Sequence, residues 1–207
     1  LAQASNEVGV VALAQGGIPM FNCVYATARG QVGYVYNARL PLRAPGFDWR
    51  GTLPGDSPEA LWSEQLPFER LPAVHDPPSG FVQNANSSPF QTTIGPGNPD
   101  PARYPPSLGL ETRMTNRSLR LLELLGQDES IDADELLAYK YDTRYSTRSA
   151  LARSLGALLA GPEPGDPLAA QALALLRGWR LGAEPGDRAA ALALDVFAPG
   201  HDDRAAD

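Results

Sequence analysis

The sequence is poor in the residues that build disulfides, metal clusters and nucleic-acid surfaces. Its 207 residues include a single cysteine, Cys23, which excludes a disulfide within the chain and a metal site made of several cysteines. Lysine occurs once, at Lys140, and the net charge is −7 at pH 7. Because a phosphate-binding surface needs clustered lysine and arginine, this composition argues against a nucleic-acid partner.

Long apolar runs are also missing. No apolar stretch reaches the roughly 18 residues that a membrane-spanning helix needs, so the sequence predicts no membrane span. The first residues lack the basic, then apolar, then small-residue order of a signal peptide. The chain begins at Leu1 and not at methionine. We therefore expect it to be an incomplete piece of a longer polypeptide.

Proline and aromatic residues are concentrated in the first half of the chain. Of the 20 prolines, 15 lie in residues 1–110 and 5 in residues 111–207, and 11 of the 16 aromatic residues also lie in the first part. Prolines and aromatics favour loops and strands, whereas the alanine- and leucine-rich remainder favours helices. The sequence thus predicts an α+β fold with strands and loops over residues 1–109 and a helical region over residues 110–207.

Periodicity and punctuation predict the elements of the first part. Residues 5–15 predict a short helix in preference to a strand, and two aromatic and β-branched runs over residues 20–26 and 31–36 predict a hairpin. Residues 40–78 contain eight prolines and predict an irregular excursion anchored by aromatic side chains. Residues 81–86 predict a short strand, in which Asn84 and Asn86 would share one face.

The second part predicts five helices. Three are expected at about residues 110–125, 131–140 and 146–160, with Ser130 as the N-cap of the second. The last two follow the repeated start signal Glu-Pro-Gly-Asp, in which Asp166 and Asp187 cap the alanine- and leucine-rich runs behind them.

The asparagine-rich segment at residues 80–90 is the strongest candidate site. Its amides lie inside an apolar stretch that runs into a proline turn. A buried amide without partners costs roughly 1–3 kcal/mol, so these side chains either satisfy loop backbone groups or line a site. In a site, an asparagine amide can donate a hydrogen bond to negative charge developing on a substrate oxygen, a contribution of about 3–4 kcal/mol.

Other polar clusters have both a catalytic and a structural interpretation. His75, Asp76 and Ser79 contain the residue types of a catalytic triad, but their closeness in sequence favours a surface turn. His201, Asp202 and Asp203 are either metal ligands or part of a solvated tail. Arg113, Arg117 and Arg120 lie on one helical stripe, which is either a solvated or salt-bridged face or has one member that faces a site and binds a carboxylate. Asp132, Asp134 and Glu135 are either a paired-carboxylate site or the acidic first turns of a helix.

Four segments together resemble the penicillin acylase family of N-terminal-nucleophile hydrolases. They are a strand with the pattern N-x-x-Y-A and its G-x-x-x-Y return, a P-x-R turn, a loop rich in proline and tryptophan, and N-x-N-x-x-P. In this sequence they include Asn22 to Ala26, Gly30 to Tyr34, Pro41 to Arg43, and Asn84 to Pro89. The resemblance implies an αββα sandwich, with residues 110–207 as a helical insertion that covers the acyl pocket.

The resemblance also implies a chemistry. In this family a precursor is cut to expose a serine at the start of the larger subunit, and that serine attacks an amide with its own α-amine as base. Asn86, the second asparagine of the motif, would then donate its amide to the oxyanion, with Asn84 as its structural neighbour. Arg113 best matches the family arginine that organises the surroundings of the nucleophile.

Further expectations come from the resemblance alone. It implies a small acyl-amide substrate such as a penicillin side chain or an acyl-homoserine lactone, a smaller subunit cut from the same precursor, and a periplasmic or secreted location. Catalysis would need no cofactor, and Asp100 is the candidate ligand of a structural calcium ion. Position 1 is not serine and Ser5 does not match the family's nucleophile segment, so we expect the nucleophile outside this chain and no activity from the chain alone.

One alternative belongs to another class of protein. The loop over residues 40–78 carries Trp49, Trp62 and Phe68, whose rings could form a ligand platform. In that hypothesis the chain is a non-catalytic binding or scaffold module, and Asn84 and Asn86 brace the platform.

Overall fold

The chain divides into two units. The structure is a computed structural model that describes Gly9, residues 21–62 and residues 64–197. The first unit is Leu1–Thr112 and the second is Arg113–Asp207. The division predicted from the sequence lies three residues earlier, at 109/110. The helix predicted over residues 5–15 lies, apart from Gly9, outside the described residues.

The first unit contains an antiparallel sheet of three strands, which pair in the order in which they occur along the chain. The strands are β1 (Phe21–Ala26), β2 (Val32–Asn37) and β3 (Ala73–His75). The predicted hairpin is therefore confirmed. Its turn closes through a hydrogen bond of 2.8 Å from the Thr27 N–H to the Gln31 carbonyl, and Gly30 takes the positive φ of 82° that glycine tolerates best.

One pair in the sheet register shows why a glycine stands in β2. Tyr25 of β1 lies opposite Gly33, and the tyrosine ring fills the space that a side chain at Gly33 would need. The phenol oxygen of Tyr25 lies 2.8 Å from Nδ1 of His75 on β3. Tyr34 and Val74 face each other in the next pair, and both are buried. The small sheet thus has a packed face in spite of its short strands.

The excursion between β2 and β3 packs through a cluster of leucines. Leu40, Leu66, Leu71 and Leu108 form this cluster, and Phe68 packs against it. Trp49 is held differently, by a hydrogen bond of 2.9 Å from its Nε1 to the Ala44 carbonyl. Trp62 is 52% exposed. The three aromatic side chains proposed as a common platform therefore have three different environments.

The second unit contains five described helices, as predicted. They are α1 (Asn116–Gly126), α2 (Ala133–Lys140), α3 (Ala150–Leu159), α4 (Pro167–Arg177) and α5 (Arg188–Phe197). Together with the sheet of the first unit, they confirm the α+β class.

The first three helices begin later than predicted because their caps lie deeper in the chain. The capping side chains are Thr115, Asp132 and Ser149, each of which accepts a hydrogen bond from the first turn. Ser130 was the wrong cap for α2, since Asp132 forms a capping box with Glu135. The predicted caps Asp166 and Asp187 are confirmed.

The core of the second unit lies among α3, α4 and α5. It contains two leucines of α3, Leu176 and Trp179 at the end of α4, and the alanine face of α5 with Phe197. The small alanines let α5 lie close to its neighbours, and Ala193 is fully buried. By contrast, none of the residues of α2 is buried.

Candidate functional site

The asparagine loop, residues 80–98, is irregular. The strand predicted over residues 81–86 is wrong: residues 81–84 have no regular structure and residues 85–86 form a bend. A hydrogen bond of 2.7 Å from the Gln83 N–H to the Thr92 carbonyl joins the two arms of the loop. Side chains, and not a strand ladder, hold the remainder. A short run stopped by a proline turn predicted the strand, but amides that bond to nearby backbone compete with strand pairing.

Two amide side chains hold the interior of the loop. The Nε2 of Gln83 donates to the Gln91 carbonyl at 2.9 Å, and the Gln83 side chain is buried. Asn98 accepts from the N–H groups of Thr92 at 2.9 Å and Thr93 at 3.2 Å, and it donates to the Thr93 carbonyl at 2.9 Å. For these residues the structural interpretation of the amides is correct, because they satisfy loop backbone groups.

Asn86 differs from Gln83 and Asn98. It is exposed, and its φ of 59° lies in the left-handed region, which asparagine tolerates better than most residues. Its backbone N–H donates to Oδ1 of Asn84 at 3.2 Å. Its neighbours Ala85 and Ser87 are both buried. The loop therefore presents the Asn86 side chain from a backbone that is packed on both sides.

The structure does not assemble the triad from its three candidate residues. His75 Nδ1 contacts the Tyr25 phenol at 2.8 Å, and Oδ1 of Asp76 accepts from the Val32 N–H at 2.8 Å. The Ser79 hydroxyl is hydrogen-bonded to the hydroxyl of Thr93. Each side chain is thus engaged with a different part of the sheet or loop, as expected for a turn.

Arg113 lies at the start of the second unit, two residues before the N-cap Thr115, and is half-buried. The predicted helical stripe of three arginines is therefore wrong at this position, because α1 begins only at Asn116. Asn86 and Arg113 belong to different units, and each is placed within its own unit.

Arg120 forms salt bridges, as the structural interpretation of the arginine stripe predicts. Its Nε and Nη2 donate to the two carboxylate oxygens of Asp142 at 2.8 and 2.9 Å, and its Nη1 donates to Glu123 at 3.4 Å. Hydrogen bonds to Asp142 raise the pKa of Arg120 further, against the effect of its burial. This pairing gives Arg120 a structural role and leaves Arg113 as the arginine considered for catalysis.

Asp100, the residue considered as a calcium ligand, lies at the start of a short turn. Its Oδ1 accepts from the Ala102 N–H at 3.0 Å and so caps the short turn Pro101–Arg103. Among the described residues, no three histidine, cysteine or acidic side chains form a group that could hold a metal ion. The carboxylates of Asp132 and Glu135 serve the capping box of α2. The His201 cluster lies outside the described residues.

Asn98 is the residue of the loop that sequence reasoning missed. It closes the loop with three hydrogen bonds to backbone groups, although it lies outside the asparagine-rich segment. Its position directly before Pro99 and shortly after two threonines was the available signal, because asparagine before proline is typical of turns stabilised by the side chain.

Comparison with known proteins finds a matching family and two similar proteins. The sequence model of the family described as Penicillin amidase matches residues 4–202. The chain is 41% identical over 68 residues to penicillin G acylase of Escherichia coli, covering 33% of this chain and 8% of that protein. It is 28% identical over 127 residues to the penicillin acylase 2 proenzyme of Pseudomonas sp. strain SE83, covering 61% of this chain and 15% of that protein.

A solved structure shows the same fold. The chain matches a thermostable penicillin G acylase from Alcaligenes faecalis with a TM-score of 0.66 and 22% identity, over 89% of this chain and 31% of that one. It therefore spans less than a third of each of these three relatives. Within the described residues, no helix is both long and apolar enough to cross a membrane. The family match over residues 4–202 and the shared fold show that this chain belongs to the penicillin amidase family.

Proposed function

We propose that the polypeptide to which this chain belongs is an acylase that cleaves N-acyl amides, and that Asn86 contributes to its oxyanion hole. The observation that carries the proposal is the exposed Asn86 on a loop held by the amide side chains of Gln83 and Asn98. Family membership supports an amidohydrolase activity in general. The substrate class, a small acyl amide such as a penicillin side chain or an acyl-homoserine lactone, rests on the family alone.

In the proposed reaction, a serine outside these 207 residues attacks the carbonyl carbon of the substrate amide. The carbonyl oxygen takes up negative charge, and the Nδ2–H of Asn86 donates a hydrogen bond to it. The α-amine of the serine takes up the hydroxyl proton and passes it to the leaving amine as the C–N bond breaks, and water then hydrolyses the acyl-enzyme. A neutral amide suits this step because it stabilises the developing charge without adding a charge of its own.

Four further parts of the proposal depend on the family and not on a contact in the structure. Arg113 would organise the surroundings of the nucleophile, and the helical unit would cover the acyl pocket. A smaller subunit cut from the same precursor would complete the enzyme, and the proenzyme among the relatives supports such processing. A periplasmic or secreted location is proposed on the same basis, and fractionation of cells that produce the complete protein tests it.

The test is a pair of substitutions at Asn86 in the complete enzyme. Asn86→Ala removes the amide and places an alanine at a positive φ, whereas Asn86→Gly removes the amide without backbone strain. We expect both variants to lower kcat by about two to three orders of magnitude, because each removes one oxyanion donor. The measurement is kcat on a chromogenic acyl-anilide, normalised to active sites by burst amplitude.

The glycine variant separates the amide from the backbone. If Asn86→Gly retains near-normal kcat and only Asn86→Ala is impaired, Asn86 serves the turn and the proposed role is wrong. Thermal unfolding of both variants checks that any loss of activity is not a loss of folded enzyme.

A further inference from the structure

The side chain of Asn84 is bonded at one end and buried without an acceptor at the other. Its Oδ1 accepts from the backbone N–H of Asn86 at 3.2 Å. Its Nδ2 is buried, and no residue that the structure describes accepts a hydrogen bond from it. The orientation of the amide follows from this arrangement, because a flipped amide would place two donors against each other.

The bond from Asn86 to Asn84 closes a turn over two residues. An asparagine side chain that accepts from the N–H two positions later imitates a backbone turn and restricts the residue between them. It also fixes the direction of the second N–H, and so helps to hold Asn86 at its φ of 59°. The direction in which the Asn86 side chain leaves the loop depends on that backbone conformation.

The buried Nδ2 is an unfavourable feature of asparagine at this position that the turn itself does not require. A buried donor without an acceptor is unfavourable, and a serine could accept the same bond without burying an amide donor. In Gln83, the preceding residue, the donor is used, since Nε2 donates to the Gln91 carbonyl, and it is the Oε1 acceptor that is buried without a described partner.

We propose that Asn84 is a positioning residue, whose Oδ1 holds the backbone of Asn86 so that the Asn86 amide points at the oxyanion. This inference rests on the proposed function of Asn86. It assigns Asn84 no contact with substrate, and its whole effect passes through Asn86.

Alanine and serine at position 84 form a matched pair, because they differ by the one oxygen that can accept from the Asn86 N–H. In the complete enzyme, we expect Asn84→Ala to lower kcat about tenfold with KM unchanged, since a small misplacement of a catalytic group costs rate and not binding. Asn84→Ser should recover kcat to within about threefold of the wild type, because its hydroxyl accepts the same bond more weakly. Both values are taken per active site from burst amplitudes on a chromogenic acyl-anilide.

The same substitution in an Asn86→Gly background distinguishes positioning from a general structural effect. If Asn84 acts through Asn86, Asn84→Ala costs no further kcat once the Asn86 amide is absent, so the two losses are not additive. Equal tenfold losses in both backgrounds would overturn the inference, and so would equal kcat in the alanine and serine variants.

The outcomes also separate this inference from the proposed function. Normal kcat in Asn86→Gly removes the proposed function, whereas a large loss there together with normal kcat in Asn84→Ala removes only the role of Asn84. If Asn84→Ala yields no active sites, Asn84→Ser alone decides, and a tenfold loss in that variant would contradict the inference.

Discussion

At Gly33, the sheet of the first unit has no room for a side chain. The ring of Tyr25 occupies the position that a Cβ at Gly33 would take, and Tyr25 is 8% exposed. The same ring brings the Tyr25 phenol to within 2.8 Å of His75 Nδ1. A side chain at Gly33 would therefore move the ring and break the contact that joins β1 to β3.

We predict that Gly33→Ala lowers the free energy of unfolding of the chain by about 1–3 kcal/mol, because overpacking forces the neighbouring ring out of place. Gly55→Ala is the matched control, since no described atom lies within 4 Å of a Cβ built there. That control should change stability by less than about 0.5 kcal/mol. Urea unfolding monitored by circular dichroism gives both values, and equal effects at the two glycines would contradict the packing argument.

At the scale of single residues, the candidate site was predictable only in part. The spacing of Asn84 and Asn86 identified the residues, because two amides in an apolar segment require an explanation. The sequence predicted that the two asparagines share one face of a strand. In the structure, Oδ1 of Asn84 instead accepts a hydrogen bond from the backbone N–H of Asn86. Asn98 was missed because its hydrogen bonds to Thr92 and Thr93 form only when the loop is folded.

At the scale of elements, Glu123 joins α1 to the segment that precedes α3. Its Oε1 accepts from the hydroxyls of Ser146 and Thr147, each at 2.7 Å, and its Oε2 accepts from Arg120. Burial raises the pKa of the Glu123 carboxyl, but these hydrogen bonds outweigh burial and hold that pKa below its ordinary value. Hydrogen bonds from Arg120 likewise lower the pKa of Asp142.

These lowered pKa values predict acid sensitivity of the helical unit. A carboxyl whose pKa is lower in the folded state stabilises the fold above its unfolded pKa, and this stability is lost as the pH falls through the folded value. We therefore expect the free energy of unfolding to fall below about pH 4. In Glu123→Gln this dependence should be weaker, with a loss of about 1–3 kcal/mol at pH 7 because charge-assisted bonds to the buried Ser146 are weakened.

The measurement is urea unfolding of the full chain at pH 7 and pH 3. Glu129→Gln, at an exposed carboxylate shortly after α1, is the control and should keep the wild-type difference between the two pH values. An unchanged pH dependence in Glu123→Gln would exclude Glu123 as a source of the acid sensitivity.

Helices were predictable as elements, but not their first residues. The apolar period indicated five helices, whereas the start of each depends on which side chain reaches the free N–H groups. Asp132 outcompetes Ser130 for α2 because it accepts from both Asp134 and Glu135. The strand predicted over residues 81–86 is wrong for a related reason, because side-chain hydrogen bonds take the place of a strand ladder there.

At the scale of the whole molecule, the described residues hold a proposed oxyanion donor without an assembled nucleophile. Acyl transfer needs a nucleophile with a base in hydrogen-bond reach in addition to that donor. Ser79 and His75 contain the residue types for such a pair, but Ser79 bonds to Thr93 and His75 contacts Tyr25. In the proposed function the nucleophile is a serine outside these 207 residues.

We therefore predict that the 207-residue chain alone does not hydrolyse a chromogenic acyl-anilide above the buffer rate, whereas the complete polypeptide does. The activity of the complete polypeptide should fall in Asn86→Ala, which ties the reaction to this part of the fold. The comparison is made at equal protein concentration, with circular dichroism to show that the 207-residue chain is folded. If the 207-residue chain hydrolyses the substrate and this activity disappears in Ser79→Ala, the nucleophile lies next to the asparagine loop. That result would overturn the proposal that the nucleophile lies outside these 207 residues.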